Sequence, residues 1–308
     1  MAGIAPDSSI SDPSRRGIRS SQLVDRTFKY WSIVPIIVLL TLLAVLPTIH
    51  LLRMSFSEVE TSGSETIWTY VGLKHLRTFL SDPVVPVAFW NTLVFVVVVV
   101  IVEAFIGFFL AITVSRTQRL VGFYRTVFLF PLLIPPVAIS TMWRLMYDYN
   151  YGFINQLLGL IDVAGPTWTA DPALALMCVM VVDIWHWTSF VFLIILAGLE
   201  SLPHELNEAA RIDGASERQV YRYIILPLLR PTLITAVMLR TLFAFKVFDE
   251  VFVLTGGGPG TATELISVYA YDVFFTQFRL GYGAFLSLVT AVLMLLFVLV
   301  YRRVNQTR

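Results

Sequence analysis

Six runs of apolar residues, each long enough for a membrane-crossing helix, dominate this chain: 31–52, 88–114, 125–147, 173–199, 229–254 and 284–301. A helix rises 1.5 Å per residue and the bilayer core is about 30 Å thick, so about 20 residues suffice to cross it. With no water at that depth, every backbone polar group must be satisfied inside the segment, which leaves helices as the reading. The expected fold class is an all-α integral membrane protein with six transmembrane helices. Composition agrees: 57% of residues are hydrophobic and 14% charged, against about 45–50% and about 25% in soluble domains.

Residues 1–30 are polar, rich in serine and arginine, and lack an apolar stretch followed by a small-residue cleavage site. They read as a cytoplasmic tail of disorder-prone composition rather than a signal peptide, leaving 31–308 as the membrane domain. Lys and Arg then set the orientation. With the amino end inside, fifteen fall in the inner segments: Arg15, Arg16, Arg19, Arg26 and Lys29; Arg116, Arg119 and Arg125; Arg211, Arg218, Arg222 and Arg230; Arg302, Arg303 and Arg308. Only Arg53, Lys74, Arg77, Arg144 and Arg279 fall outside. That asymmetry predicts both termini in the cytoplasm. Tyr30, Trp31, Trp90, Trp143, Tyr147 and Tyr301 sit where headgroups are expected. Pro131, Pro135 and Pro136 predict a kink in the third span.

Several functions are disfavoured. A net charge of +1 gives no footprint for nucleic acid. The single cysteine, Cys178, and four scattered histidines offer neither a disulfide framework nor metal-ligand spacing. No nucleophile–base constellation appears, so no catalytic residue is assigned. The chain lacks a phosphate loop with its lysine; "TGGGPG" (255–260) reads as a tight turn.

Three charges, Glu103, Asp183 and Arg240, lie roughly ten to fifteen residues from either end of their spans, which places them near one depth. Arg240 has no acid three or four positions away on its own helix, so its partner must come from another helix, water or a ligand. Lys246 has Asp249 and Glu250 at i+3 and i+4, which predicts a local ion pair. Asp183, Trp187 and Phe190 share a helix face, as do Arg240, Ala244 and Val247. A carboxylate beside two aromatic rings suits a sugar; a plain Asp183–Arg240 pair explains the carboxylate equally well.

The cytoplasmic segment "EAARIDGASERQVYRYIILP" (208–227) is polar between two apolar runs. Glu208, Ala209 and Ala210, then Gly214, then Ile224, Leu226 and Pro227 at their spacing resemble the EAA motif of permease subunits in binding-protein-dependent ABC importers. The stretches "WNTLVFVV", "LFPLLIPP", "LAGLESLPHELNEAA" and "FDEVFVLTGGGPG" are similar to the sugar-importer branch, of the maltose-permease and glycerol-phosphate-permease kind. The resemblance runs from about residue 31 to the carboxyl end. It implies the type I importer permease fold, multi-pass in the bacterial inner membrane.

It also implies a second, homologous permease completing a heterodimer, two ATPase subunits that bind ATP and Mg, and a periplasmic or extracellular sugar-binding protein. This chain itself would hold no cofactor or metal. The loop 200–228 would be the coupling element, with Glu208, Ala209, Ala210, Arg211, Asp213 and Gly214 toward the ATPase. Ser201 is expected to cap its helix, Pro203 to sit in the first turn, Gly214 to end it, and Leu206 with Ala210 to form a small apolar face. Matching by spacing puts the sugar path at Asp183, Trp187, Phe190, Arg240, Ala244 and Val247. The last three depart from the small polar or amide residues of the maltose type, and Arg240 raises the expectation of an anionic sugar derivative. The alternative is an ion-coupled secondary sugar transporter using Glu103 or Asp183. The lack of a detectable inverted repeat counts against it.

Overall fold

The computed structural model describes residues 14–62, 65–117 and 121–306, without the side chains of 14–30, 61, 62, 65, 204, 207, 211 and 304–306. The chain forms two units, 1–53 and 54–308. In the first, α1 (Ser14–Ser55) begins well before the expected span and takes in residues 14–30 of the anticipated tail. Its apolar part, Trp31–Ser55, has a mean hydropathy of 2.6. The remainder of the tail, 1–13, lies outside the described residues.

The second unit opens with an antiparallel hairpin, β1 (Ser57–Ser62) and β2 (Glu65–Tyr70), in which Val59 faces Trp68. This hairpin and the short α2 (Lys74–Ser81) depart from a purely transmembrane expectation. Then come α3 (Val84–Ser115), α4 (Val121–Leu133), α5 (Pro136–Met146), α6 (Phe153–Gly159) and α7 (Ala175–Glu200). The cytoplasm-assigned loop holds α8 (His204–Ile212) and α9 (Glu217–Val220). A π-helical turn (Tyr221–Ile225) leads into α10 (Leu226–Phe245), followed by α11 (Asp249–Leu254), α12 (Ile266–Tyr271) and α13 (Leu280–Gln306).

Five described helices are long and apolar enough to cross a membrane, or six if the bent pair α4 and α5 is one span. That pair turns through 89°. The cause is local: Pro135 is extended at φ −58° and ψ 138°, because the ring of Pro136 excludes the residue before it from the helical region. Pro227 has the related effect on α10. It has no N–H to offer residue 223 and displaces that carbonyl, and the π turn falls over the same residues.

The centre of the unit is α3 packed against α7, with α10 against both. Phe95, Val99, Val179, Val182, Ala244 and Val251 belong to one buried core. Gly107 lets α3 approach closely: a Cβ there would stand 3.0 Å from the Phe192 backbone N and from Val191 Cγ1. Away from the core, Asp82 joins α2, α12 and α13. Burial pushes its carboxyl up, but hydroxyls of Tyr269 and Tyr282 and the Val84 N–H donate to it and hold it below the usual range.

Residues 255–264 form the turn expected from "TGGGPG". Gly256, Gly257 and Gly260 take positive φ, and the Gly258 and Thr263 N–H groups bond back to Thr255 O and Gly257 O at 3.1 Å each. Glu264 packs so close to Gly257 that a Cβ there would lie 2.2 Å from its Oε2. Burial, then the charge of Asp272, raises the Glu264 carboxyl from 4.5 to about 7. The folded state therefore binds the proton more tightly than the unfolded one, and stability falls as pH rises from about 4.5 to about 7. Glu264→Gln is expected to flatten the thermal stability profile across that window, read by unfolding scans in detergent; an unchanged slope contradicts this.

Candidate functional site

Two constellations stand out, one at the α7–α10 connection and one at mid-depth in the spans. Helix α8 starts directly after Pro203, so Pro203 precedes the helix rather than sitting in it. Ser201 is not its cap. It lies at the C-terminus of α7 and its hydroxyl donates to Gly198 O at 2.8 Å. Gly214 ends α8 as expected, at φ +80°, with Asp213 N on Ala209 O and Ala215 N on Ala210 O, both at 3.0 Å. Ser216 then opens α9, its N–H donating to Gln219 Oε1 at 2.8 Å.

The expected Leu206–Ala210 face is split. Ala210 turns inward and is buried with Val220 and Ile225, while Leu206 is 40% exposed. Glu208, Ala209 and Asp213 are exposed, and Ile212, which the sequence reading passed over, is 86% exposed. The side chain of Arg211 lies outside the described residues. A second overlooked feature is Arg116 at the end of α3. It donates to the Tyr221 hydroxyl at 3.1 Å, pairs with Glu217 at 3.3 Å, and lies 4.4 Å from the Tyr221 ring centroid. Arg125 at the start of α4 grips both oxygens of Glu200 at the end of α7, at 2.6 Å each. The loop is thus moored to the ends of the spans around it.

At mid-depth, Glu103 on α3, Asp183 on α7 and Arg240 on α10 meet. All three are at most 1% exposed. Arg240 donates through Nε and Nη2 to both oxygens of Glu103, the second at 3.0 Å, and through Nη2 to Asp183 Oδ2. Its partners therefore come from two other helices. Beside it, Glu250 accepts from Trp187 Nε1 at 3.4 Å and meets His186 Nδ1 at 3.2 Å. The predicted local pair of Lys246 with Asp249 or Glu250 is absent, and Glu250 faces α7 instead. The Lys246 ammonium lies 4.9 Å from the Phe243 ring.

Trp187 and Phe190 are half-buried, in one aromatic group with Phe243. Trp187 stacks on Phe243 at 5.2 Å, and the Arg240 guanidinium lies 5.1 Å from its ring. Phe190 meets Phe243 edge-on at 5.5 Å. Ala244 and Val247 are buried in the central core. The six path residues are thus brought together around α7 and α10, but Asp183, Arg240, Ala244 and Val247 are covered by protein. An apolar cavity of about 590 Å³ lies inside the α4–α5 bend, lined by Phe128, Pro131, Trp143, Trp185 and Phe192, with none of the six in its wall. Among the described residues no group of three or more His, Cys, Asp or Glu could hold a metal.

Removing one partner from a buried ion pair costs about 3–5 kcal/mol, because the other charge stays uncompensated. Arg240→Ala is therefore expected to lower the unfolding temperature sharply or abolish accumulation in membranes. An Arg240→Ala protein of native stability would contradict the structural role of the triad.

Comparison with known proteins agrees with this architecture. Residues 103–308 match the family described as "Binding-protein-dependent transport system inner membrane component". The chain is 35% identical over 279 residues to the trehalose/maltose transport system permease protein MalF of Thermococcus litoralis, covering 91% of this chain and 94% of that one. It is 31% identical to the sulfoquinovosyl glycerol transport system permease protein SmoG of Agrobacterium fabrum, with 95% of each covered. Among solved structures, a bacterial ABC transporter importing the acidic polysaccharide alginate shares the fold at a TM-score of 0.81 and 21% identity, over 94% of this chain and 99% of that one. The chain accordingly belongs to the binding-protein-dependent inner-membrane transport components, as the multi-pass, non-catalytic permease subunit of an ABC importer whose ATPase is a separate subunit.

Proposed function

We propose that this permease carries a sugar or sugar derivative by alternating access, and that α8 couples its spans to the ATPase. The observation that carries the coupling is the build of the 200–228 segment. A short helix with Leu206, Glu208, Ala209 and Ile212 exposed, and Asp213 exposed just after it, is stopped by Gly214, and the α9 and π-turn residues that follow are held to α3 through Arg116. Such a helix presents both apolar and acidic contacts to a protein groove. Its mooring passes any displacement to α3 and, through the π turn, to α10. Both termini and α8 lie in the cytoplasm in this reading, as the Lys and Arg distribution favours. A second homologous permease, two ATPase subunits and an external sugar-binding protein complete the assembly, with ATP and Mg held by the ATPases.

The names of the relatives support a carbohydrate cargo, and they include both neutral sugars and an anionic one. Arg240 gives no reason to prefer the anionic class, since two carboxylates already neutralise it. The half-buried Trp187 and Phe190 remain the best candidates for cargo contact along the path. The ion-coupled alternative through Glu103 or Asp183 is disfavoured on the same grounds, because both acids are buried against Arg240.

Glu208→Ala and Gly214→Asp are expected to weaken copurification of the ATPase and to cut transport by roughly tenfold or more, equivalent to about 1.4 kcal/mol of lost interaction. Membrane insertion should be unaffected, and Ile212→Asp should behave alike. Normal ATPase capture by all three variants overturns the coupling role.

A further inference from the structure

Helix α2 carries two apolar faces, and only one is used within the chain. On the inner face, buried His75 contacts Ser57 O at 3.1 Å, and Phe79 packs edge-on against Phe89 and Phe285 at 6.0 and 5.9 Å. On the outer face Leu76 and Leu80 lie one turn apart, with Leu73 at the helix start. They are 37%, 75% and 61% exposed. Arg77 borders this stripe, and Lys74, Thr78 and Ser81 continue the polar arc beyond it.

The position of α2 along the chain says what meets that stripe. It ends at Ser81, and α3, an apolar helix of mean hydropathy 3.1, begins at Val84. Trp90, 64% exposed in the second turn of α3, marks the level at which indole rings settle between headgroups and acyl chains. Six residues of α3 separate Val84 from Trp90, about 9 Å of helical rise. The joint between the helices is fixed by Asp82, which accepts from Val84 N, Tyr269 and Tyr282. Helix α2 is therefore fixed next to the start of the apolar span α3, where Val87 and Trp90 are also exposed.

We infer that α2 is an interfacial helix seated in the headgroup layer of the leaflet where α3 begins. Leu73, Leu76 and Leu80 enter the boundary between glycerol and acyl chains, and the Arg77 guanidinium takes a lipid phosphate. An amphipathic helix with a cation at the edge of its apolar face binds such a surface through buried area and charge together. A lipid surface fits better than a protein groove because α2 leads within three residues into an apolar span with exposed Val87 and Trp90, and the charge bordering its stripe is basic. The seat anchors the hairpin and the α12–α13 end to the bilayer, and it does not rest on the identity of the cargo.

Spin labels introduced singly through Leu76→Cys, Leu80→Cys and Arg77→Cys test this in the assembled transporter, in phosphatidylethanolamine/phosphatidylglycerol nanodiscs. Cys178, the only native cysteine, is 1% exposed and does not compete for the label. Collision with oxygen should exceed collision with a water-soluble nickel chelate severalfold at 76 and 80, and the ratio should invert at 77. Free nickel access at 76 and 80 overturns the inference, because the stripe then faces water. Shielding from both reagents overturns it too, because a protein partner then covers the stripe.

Discussion

The contact of one guanidinium with two carboxylates, from three helices, is the constraint on which the rest of this structure depends. Arg240, Glu103 and Asp183 are expensive at membrane depth alone and tolerable only together. Their mutual pairing ties α3, α7 and α10 at one level. Glu250 extends the tie to α11 through His186 and Trp187. Apolar packing alone, between lipid-like surfaces, specifies register weakly in a bilayer. Here one charged cluster provides it, and the close approach at Gly107 allows the flanking side chains to interdigitate. In the proposed alternating access these three spans move as one packed body.

That body is joined to the α8 loop at both of its ends. Arg125 and Glu200 clamp α4 to α7 just before the loop, and Arg116 clamps α3 to Glu217 and Tyr221 just after it. The loop then enters α10 through the π turn, fourteen residues before Arg240 from Leu226, or about 21 Å of helix. In the proposed coupling, this is the route by which a push on α8 reaches the charge cluster. The motif's distal Ile-x-Leu-Pro spacing acquires a physical meaning here: Pro227 accompanies the change of helical pitch where the loop becomes a span.

What the sequence disclosed and what it hid divide along contact distance. Periodicity, run length and Gly214 report local geometry, and the spans and the end of α8 were legible from them. The bend of α4 and α5 followed from Pro135 and Pro136, although its 89° angle did not. The partners of Arg240 lie 137 and 57 residues away, so no local spacing rule reaches them. The same blindness mispaired Lys246 with Asp249 and Glu250; the real neighbour of Glu250 is His186, 64 residues off. It also misassigned Ser201, which serves the end of α7, and it did not disclose that Ala210 is buried with Val220 and Ile225. Ile212 and Arg116 carried no pattern in isolation, since one exposed isoleucine or one basic residue at a helix end is ordinary in any sequence.

The central claim is that this chain is a passive, rigid-body path driven from outside by a separate ATPase. It is tested most directly by uptake of radiolabelled sugar into proteoliposomes holding the permease with its partner permease, ATPase and binding protein. Uptake is expected to need enclosed ATP and the binding protein and to ignore imposed proton or sodium gradients. Uptake that follows an ion gradient and proceeds without ATP would contradict it.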